Sequence, residues 1–275
     1  MDLDLRGVHV LVTGAGGGIG LEATRIFLEQ GANVTAHYRS SDATLLPLFA
    51  TYGLTRIRLV QADLSSEPAV ISLFSSKNIE SFGPVEIAVV NHGAYVDKHV
   101  FVKDMSLAQW EKTMSNNLTS SFLVVREYLK GLEKGISVSA GMGTRFGDRA
   151  AITLVGSTAG KFGEARHTDY SASKSAMMYG FTMSLKNEIV KIAPRGRVNC
   201  VAPGWTKTPM AAAGMKDPTQ VGMALATTPL KKIAEPADVA NQIVLLSSAK
   251  VSGHVTGQCV MVEGGMEGRL LNPPA

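Results

Sequence analysis

The 275 residues are 45% hydrophobic and 18% charged, with a net charge of +4 and no block of Lys or Arg, which argues against nucleic-acid or membrane-surface partners. No charged leader followed by an apolar run opens the sequence, and no apolar stretch is long enough to span a bilayer, so secretion and membrane insertion are not expected.

The first apolar run, VHVLVT (8–13), is short, β-branched and ends at a glycine cluster, which predicts a strand. The stretch LEATRIFLEQG (21–31) then predicts a helix closed by Gly31. Further strands are expected at 32–38, 57–63, 86–91, 151–157, 197–203 and 258–264, with long helices at 106–132 and 170–193. Residues 135–150 are Gly-rich and unpatterned, and read as a surface loop. Cys200 and Cys259 fall in the last two strands without CxxC or metal-ligand spacing. They read as buried, reduced thiols in a cytoplasmic setting, and no metal site is expected. Strand and helix alternate, and the strands are near-continuous apolar runs. This predicts an α/β fold, a parallel sheet covered on both faces, as one domain over 1–275.

TGAGGGIG (13–20) lies between the first strand and the first helix, the context in which glycines let a backbone approach a pyrophosphate at a helix N-terminus. Gly14, Gly16, Gly18, Ile19 and Gly20 are therefore candidate cofactor residues. The second strand ends in HYRSS (37–41), with Tyr38 near the position where an acid would bind the ribose hydroxyls of NAD. Arg39 beside Ser40 can instead hold a 2′-phosphate, so NADP(H) is expected over NAD(H). The alternative for Arg39 is a solvated surface charge.

YSASK (170–174) places Tyr170 and Lys174 four apart, on one face of the expected helix. An ammonium near a phenol favours the phenolate and makes the hydroxyl a usable acid or base at neutral pH. Taken singly, Ser157 in GSTAG reads as turn chemistry and Asn117 as a polar group inside a helix.

Taken together and in order, TGAGGGIG, Asn91-His92-Gly93, Asn117, Ser157, Tyr170, Lys174 and PGWTKT (203–208) resemble a short-chain dehydrogenase/reductase over nearly the whole chain. The nearest likeness is to NADP(H)-dependent ketoreductases of the 3-oxoacyl-carrier-protein-reductase kind. The resemblance implies a Rossmann-type doubly wound sheet of about seven strands and hydride transfer to a small-molecule carbonyl substrate. Asn117, Ser157, Tyr170 and Lys174 would be catalytic. Asp63 with Leu64, Asn91, Gly93, Pro203, Gly204, Thr206 and Thr208 would join the cofactor site, as would Tyr170 and Lys174. His92 stands where the family has a small residue and reads as a satisfied, partly buried histidine. His167 is placed at the substrate mouth or in a polar loop. Residues 205–230, Met-rich and Gly-punctuated, are the expected lid over an apolar or mixed substrate.

The family pairs its two long helices between subunits. Apolar residues beyond one stripe, Phe122, Leu123, Val124 and Val125, fit a homodimer or homotetramer. Two other readings stay open: an NAD-dependent alcohol or steroid dehydrogenase, which Tyr38 and Arg39 oppose, and a non-catalytic NADP-binding regulator. Enoyl reduction is disfavoured, because those relatives stretch the Tyr-to-Lys spacing.

Overall fold

The computed structural model describes residues 2–96, 98–139 and 146–268. Its seven strands are β1 (His9–Val12), β2 (Asn33–Tyr38), β3 (Ile57–Gln61), β4 (Ile87–Val90), β5 (Ala151–Val155), β6 (Arg197–Pro203) and β7 (Cys259–Val262). All pair in parallel, in the order β3-β2-β1-β4-β5-β6-β7. Every expected strand is present to within two residues at either end. The helices between them are α1 (Gly18–Glu29), α2 (Leu46–Tyr52), α3 (Glu67–Phe74), α4 (Lys77–Glu80), α5 (Leu107–Met114), α6 (Ser120–Ser139), α7 (Thr158–Phe162), α8 (Thr168–Ser175), α9 (Thr182–Ile192), α10 (Pro218–Ala226), α11 (Pro236–Ser247) and α12 (Ala249–Ser252).

The central strands read as unbroken apolar runs because both faces of the sheet are covered. Side chains alternate between two cores. Val10, Val12, Ile87 and Val89 join Ala23 and Phe27 of α1 and Ile243 of α11. Leu11, Ala88, Val90, Ile152 and Leu154 join Val124, Tyr128 and Leu132 of α6 and Leu185 of α9. Phe27 is fully buried, and truncation to Ala there would cost about 3–5 kcal/mol.

Three expectations are corrected. Residues 135–139 are not loop but the end of α6, because Gly135 fits under Phe146 and Pro84, where a Cβ would come within 2.8 Å of either. Of the rest of that expected loop, 146–150 is irregular as expected, and 140–145 lies outside the described residues. Of the four apolar residues expected on the outside of α6, Leu123, Val124 and Val125 are buried in the protein's own core and only Phe122 is exposed. Cys200 is buried as expected, but its directly registered partner Cys259 is only partly so, because β7 is the edge strand.

Neither long helix is continuous. Each is interrupted by a π-helical turn, at Ser115–Thr119 and at Ala176–Phe181. Hydroxyls take up carbonyls in these widened turns: Ser121 Oγ donates to Asn117 O at 2.6 Å and Thr182 Oγ1 to Met177 O at 2.7 Å.

The strand order reverses between β1 and β4, and the chain leaves these strands in opposite directions. In a doubly wound sheet a crevice opens there, at the carboxyl ends of the strands.

Candidate active site

That crevice exists, with a volume of about 440 Å³, and the glycine loop forms its floor. Gly14 has φ +62°, which a residue with a side chain rarely adopts, and turns the chain out of β1. A Cβ on Gly20 would stand 2.2 Å from Gly14 O, so α1 can start this close to the turn only with glycine there. The N-cap of α1, Gly17, makes no side-chain cap bond and the first turn holds no acid. The helix therefore offers N–H groups and the positive end of its dipole to an anion. Asn91 grips the loop from β4, its Nδ2 donating to Thr13 O and Gly14 O, both at 3.1 Å.

Arg39 lines the crevice from the end of β2, and its side chain is exposed. Asp63 lines it from the end of β3. Its Oδ1 accepts from Ser65 N–H at 3.0 Å and Ser65 O–H at 2.7 Å, and these bonds hold the carboxyl below the usual range. Leu64, Gly93, Pro203, Gly204, Thr206 and Thr208 also line the crevice, with Gly18 and Ile19. Thr206 Oγ1 is committed to Gly204 O at 3.1 Å, which leaves that hydroxyl bracing its own loop.

Three of the four expected catalytic residues meet on the opposite wall: Ser157, Tyr170 and Lys174. Ser157 follows β5 by two residues and caps α7, its oxygen accepting from Ala159 N–H at 3.1 Å, so the hydroxyl proton can still be donated. The turn reading of this serine holds, and its side chain also lines the crevice. Lys174 is 3% exposed. Its Nζ donates to Val155 O at 2.8 Å and lies 5.7 Å from the centre of the Tyr170 ring. Burial pushes this ammonium down to about 8, which leaves it mostly charged at neutral pH.

The remaining expected residues stand elsewhere. Asn117 is fully buried behind the crevice, in the first π-helical turn. Its Oδ1 accepts from Ala94 N–H at 2.7 Å and its Nδ2 donates to Ala94 O at 3.0 Å, which fixes the wall between Asn91 and Tyr95. Asn116 lines the crevice in its place. Tyr38 packs against the core under α1 and does not line the crevice, because strand alternation puts it with Val34 and Ala36. Ser40 is exposed outside the crevice. Gly16 and Gly20 support the floor from below; the Gly16 carbonyl accepts from Thr44 Oγ1 at 2.9 Å.

His92 is held on both sides. Nδ1 lies 2.8 Å from Thr13 Oγ1, whose hydroxyl also donates to Val89 O at 3.1 Å, and Nε2–H donates to Ser120 Oγ at 2.9 Å, whose own proton goes to Asn116 O at 2.7 Å. Burial pushes this ring down to about 3, so it is neutral, as a satisfied histidine should be. His167 is buried and backs the mouth without lining it, stacked on Tyr95 with ring centres 4.5 Å apart and bonded to His99 at 3.0 Å.

Sequence reading missed one side of the mouth, Tyr95, His99 and Glu164; the other side, Trp205, Met210 and Gln220, falls within the expected lid segment 205–230. Tyr95 meets Tyr170 edge to face with centres 5.1 Å apart. His37 on the floor was also missed, although a polar residue inside the apolar run NVTAHY was a visible signal. Among the described residues no cluster of three or more His, Cys, Asp or Glu could hold a metal ion.

A glycine-floored crevice at the switch point of a parallel sheet is the arrangement of a Rossmann-type, doubly wound α/β protein. A family model described as enoyl-(acyl carrier protein) reductase matches residues 14–267. The chain is 30% identical over 267 residues to the 3-oxoacyl-(acyl-carrier-protein) reductase FabG of Chlamydia pneumoniae, covering 97% of this chain and 99% of that one. It is 32% identical over 271 residues to the 3beta-hydroxysteroid dehydrogenase 1 of Eggerthella lenta, covering 96% and 95%. The crystal structure of a short-chain dehydrogenase/reductase described as glucose/ribitol dehydrogenase, from Brucella melitensis, superposes with a TM-score of 0.82 at 29% identity, covering 97% of this chain and 99% of that one. The chain belongs to the short-chain dehydrogenase/reductase family and is an oxidoreductase of the class acting on CH–OH and C=O groups.

Proposed function

We propose that the protein is an NADPH-dependent ketone reductase of the 3-oxoacyl-reductase kind. The observation that carries this reading is the convergence of Ser157, Tyr170 and Lys174 on the crevice that the glycine loop floors. The residues present fit an NADP(H) dinucleotide. The uncapped start of α1 suits the pyrophosphate, and an exposed arginine stands next to the position where an acid would select NAD. Gly14, Gly18, Ile19, Arg39, Asp63, Leu64, Asn91, Gly93, Pro203, Gly204, Thr206 and Thr208 would hold it, with Lys174 and Tyr170 at the nicotinamide end.

When bound, the dinucleotide supplies a hydride to the carbonyl carbon. Tyr170 gives its hydroxyl proton to the carbonyl oxygen, and the product is the alcohol. Ser157 donates a hydrogen bond to the same oxygen and fixes its position. Lys174 has three donor protons; one is held by Val155 O, and the others can serve the ribose hydroxyls. Its charge favours the phenolate left on Tyr170, so the proton transfer is downhill of what a free phenol allows. Asn117 positions the crevice wall through Ala94.

The mouth residues Trp205 and Met210 suit a substrate with an apolar body, and 205–230 would serve as its lid. Identity to a 3beta-hydroxysteroid dehydrogenase keeps the oxidative, NAD-linked alcohol reading as the second candidate; Arg39 speaks against it. Among the described residues no helix is long and apolar enough to cross a membrane, and a cytoplasmic location is part of the same proposal. Exposed Phe122, Tyr179 and Met183 on the long-helix regions support assembly as a homodimer or homotetramer.

The test is a panel of 3-oxoacyl thioesters, 3-oxosteroids and simple ketones with NADPH and NADH, followed at the nicotinamide absorbance. Turnover with NADPH is expected. Binding of NADPH with no turnover of any carbonyl or alcohol would favour the regulator reading.

A further inference from the structure

We infer that His37 is a positioning residue for the dinucleotide: its neutral ring clasps the glycine loop to the end of β3 and so holds the start of α1 toward the crevice. The inference rests on the dinucleotide reading above.

His37 is 2% exposed and borders the crevice floor. Its two nitrogens face groups with opposite demands. Gly14 N–H can only donate, and it points at Nδ1 from 3.1 Å, so Nδ1 must carry the lone pair. Ala62 O can only accept, and it lies 3.0 Å from Nε2, so Nε2 must carry the proton. One neutral tautomer satisfies both. A protonated ring would set N–H against N–H and release Gly14.

The backbone of the same residue holds the next step of the loop, Ala15 N–H donating to His37 O at 2.8 Å. Successive N–H groups of the turn are thus bound to one residue of β2, while Asn91 holds the preceding carbonyls from β4. The floor is gripped from both neighbouring strands, and the segment that follows it is the uncapped start of α1. The titratable and charged groups around the ring are Asp63 at the end of β3, His92 after β4 and Arg39 two residues along its own strand. Burial outweighs the attraction of Asp63 and keeps the ring below the ordinary histidine range.

The experiment measures NADPH and NADH dissociation constants by nucleotide fluorescence for wild type, His37→Leu and His37→Gln, from neutral to acid pH, with the thermal midpoint of each. Leucine removes both bonds. Glutamine restores one acceptor and one donor without a titratable ring. The inference expects His37→Leu to bind both nucleotides about tenfold more weakly, with the loss in nucleotide KM and not in kcat. His37→Gln should recover most of the affinity, and wild-type affinity should fall with acid more than that of His37→Gln. Unchanged binding in folded His37→Leu, or parallel pH curves for wild type and His37→Gln, would overturn it. If His37→Leu does not fold, the comparison of those two curves decides. If wild type binds neither nucleotide, the dinucleotide reading fails first and this inference falls with it.

Discussion

The ammonium of Lys174 lies 5.7 Å from the centre of the Tyr170 ring and is anchored by Val155 O at 2.8 Å. The lysine is therefore tied to β5 and cannot swing away, and the phenol one helical turn earlier faces a fixed charge. That charge sits in a buried setting, where a Coulomb interaction is less screened than in water. The same strand ends two residues before Ser157, so one strand end and one helix face bring the three side chains together.

On the proposed reading, Arg39 sets the cofactor choice. Its guanidinium is exposed in the crevice and can form charge-assisted bonds to a 2′-phosphate. Arg39→Ala should weaken NADPH binding by about ten- to a hundredfold and leave NADH binding nearly unchanged. Equal losses for both nucleotides, read by fluorescence titration, would remove this role.

Gly20 is the tightest point of the floor. A Cβ there would meet Gly14 O at 2.2 Å and Asn91 Nδ2 at 2.5 Å. The first is backbone, and the second is a side-chain end tied to Thr13 O and Gly14 O, so Gly20→Ala must push α1 away from the turn. Nucleotide affinity should drop at least about tenfold, with a lower thermal midpoint. A variant that binds as tightly as wild type would show that the loop tolerates the shift.

Three buried histidines make stability depend on pH. Burial pushes His9 down to about 4 and His92 to about 3, and lowers His37 as well. An unfolded histidine titrates near 6.5. Below that pH the unfolded chain takes up protons that the fold refuses, so stability is fully present above about 6.5 and is lost as pH falls toward the folded values. His9 and His92 each contribute a slope of up to about 1.4 kcal/mol per pH unit in that window. Urea unfolding at pH 7 and pH 5 should show a clear loss at pH 5, and equal stability would contradict the buried neutral state.

The sheet was legible because its strands are buried on both faces and so appear as apolar β-branched runs. The glycine loop and YSASK were legible because their spacing is local. Tyr38 was misplaced for want of a parity count: Val34, Ala36 and Tyr38 share one face, and that face is core. The π-helical turns left no local mark. The first coincides with bonds between Asn117 and Ala94, 23 residues apart in sequence, and such a pairing has no period to read. One side of the mouth was missed for a related reason: Tyr95 and His99 lie in irregular backbone after β4 and meet Glu164 and Tyr170 only through the fold.

The most direct measurement is single-turnover reduction of a ketone by NADPH in Tyr170→Phe, beside a titration of the same variant with NADPH. The ring, its packing on Tyr95 and the nearby ammonium are retained, and only the hydroxyl is lost. The account predicts a rate lower by about 10²–10⁴-fold with nucleotide affinity within about twofold of wild type. A rate equal to wild type, with the variant folded and loaded with NADPH, would contradict it.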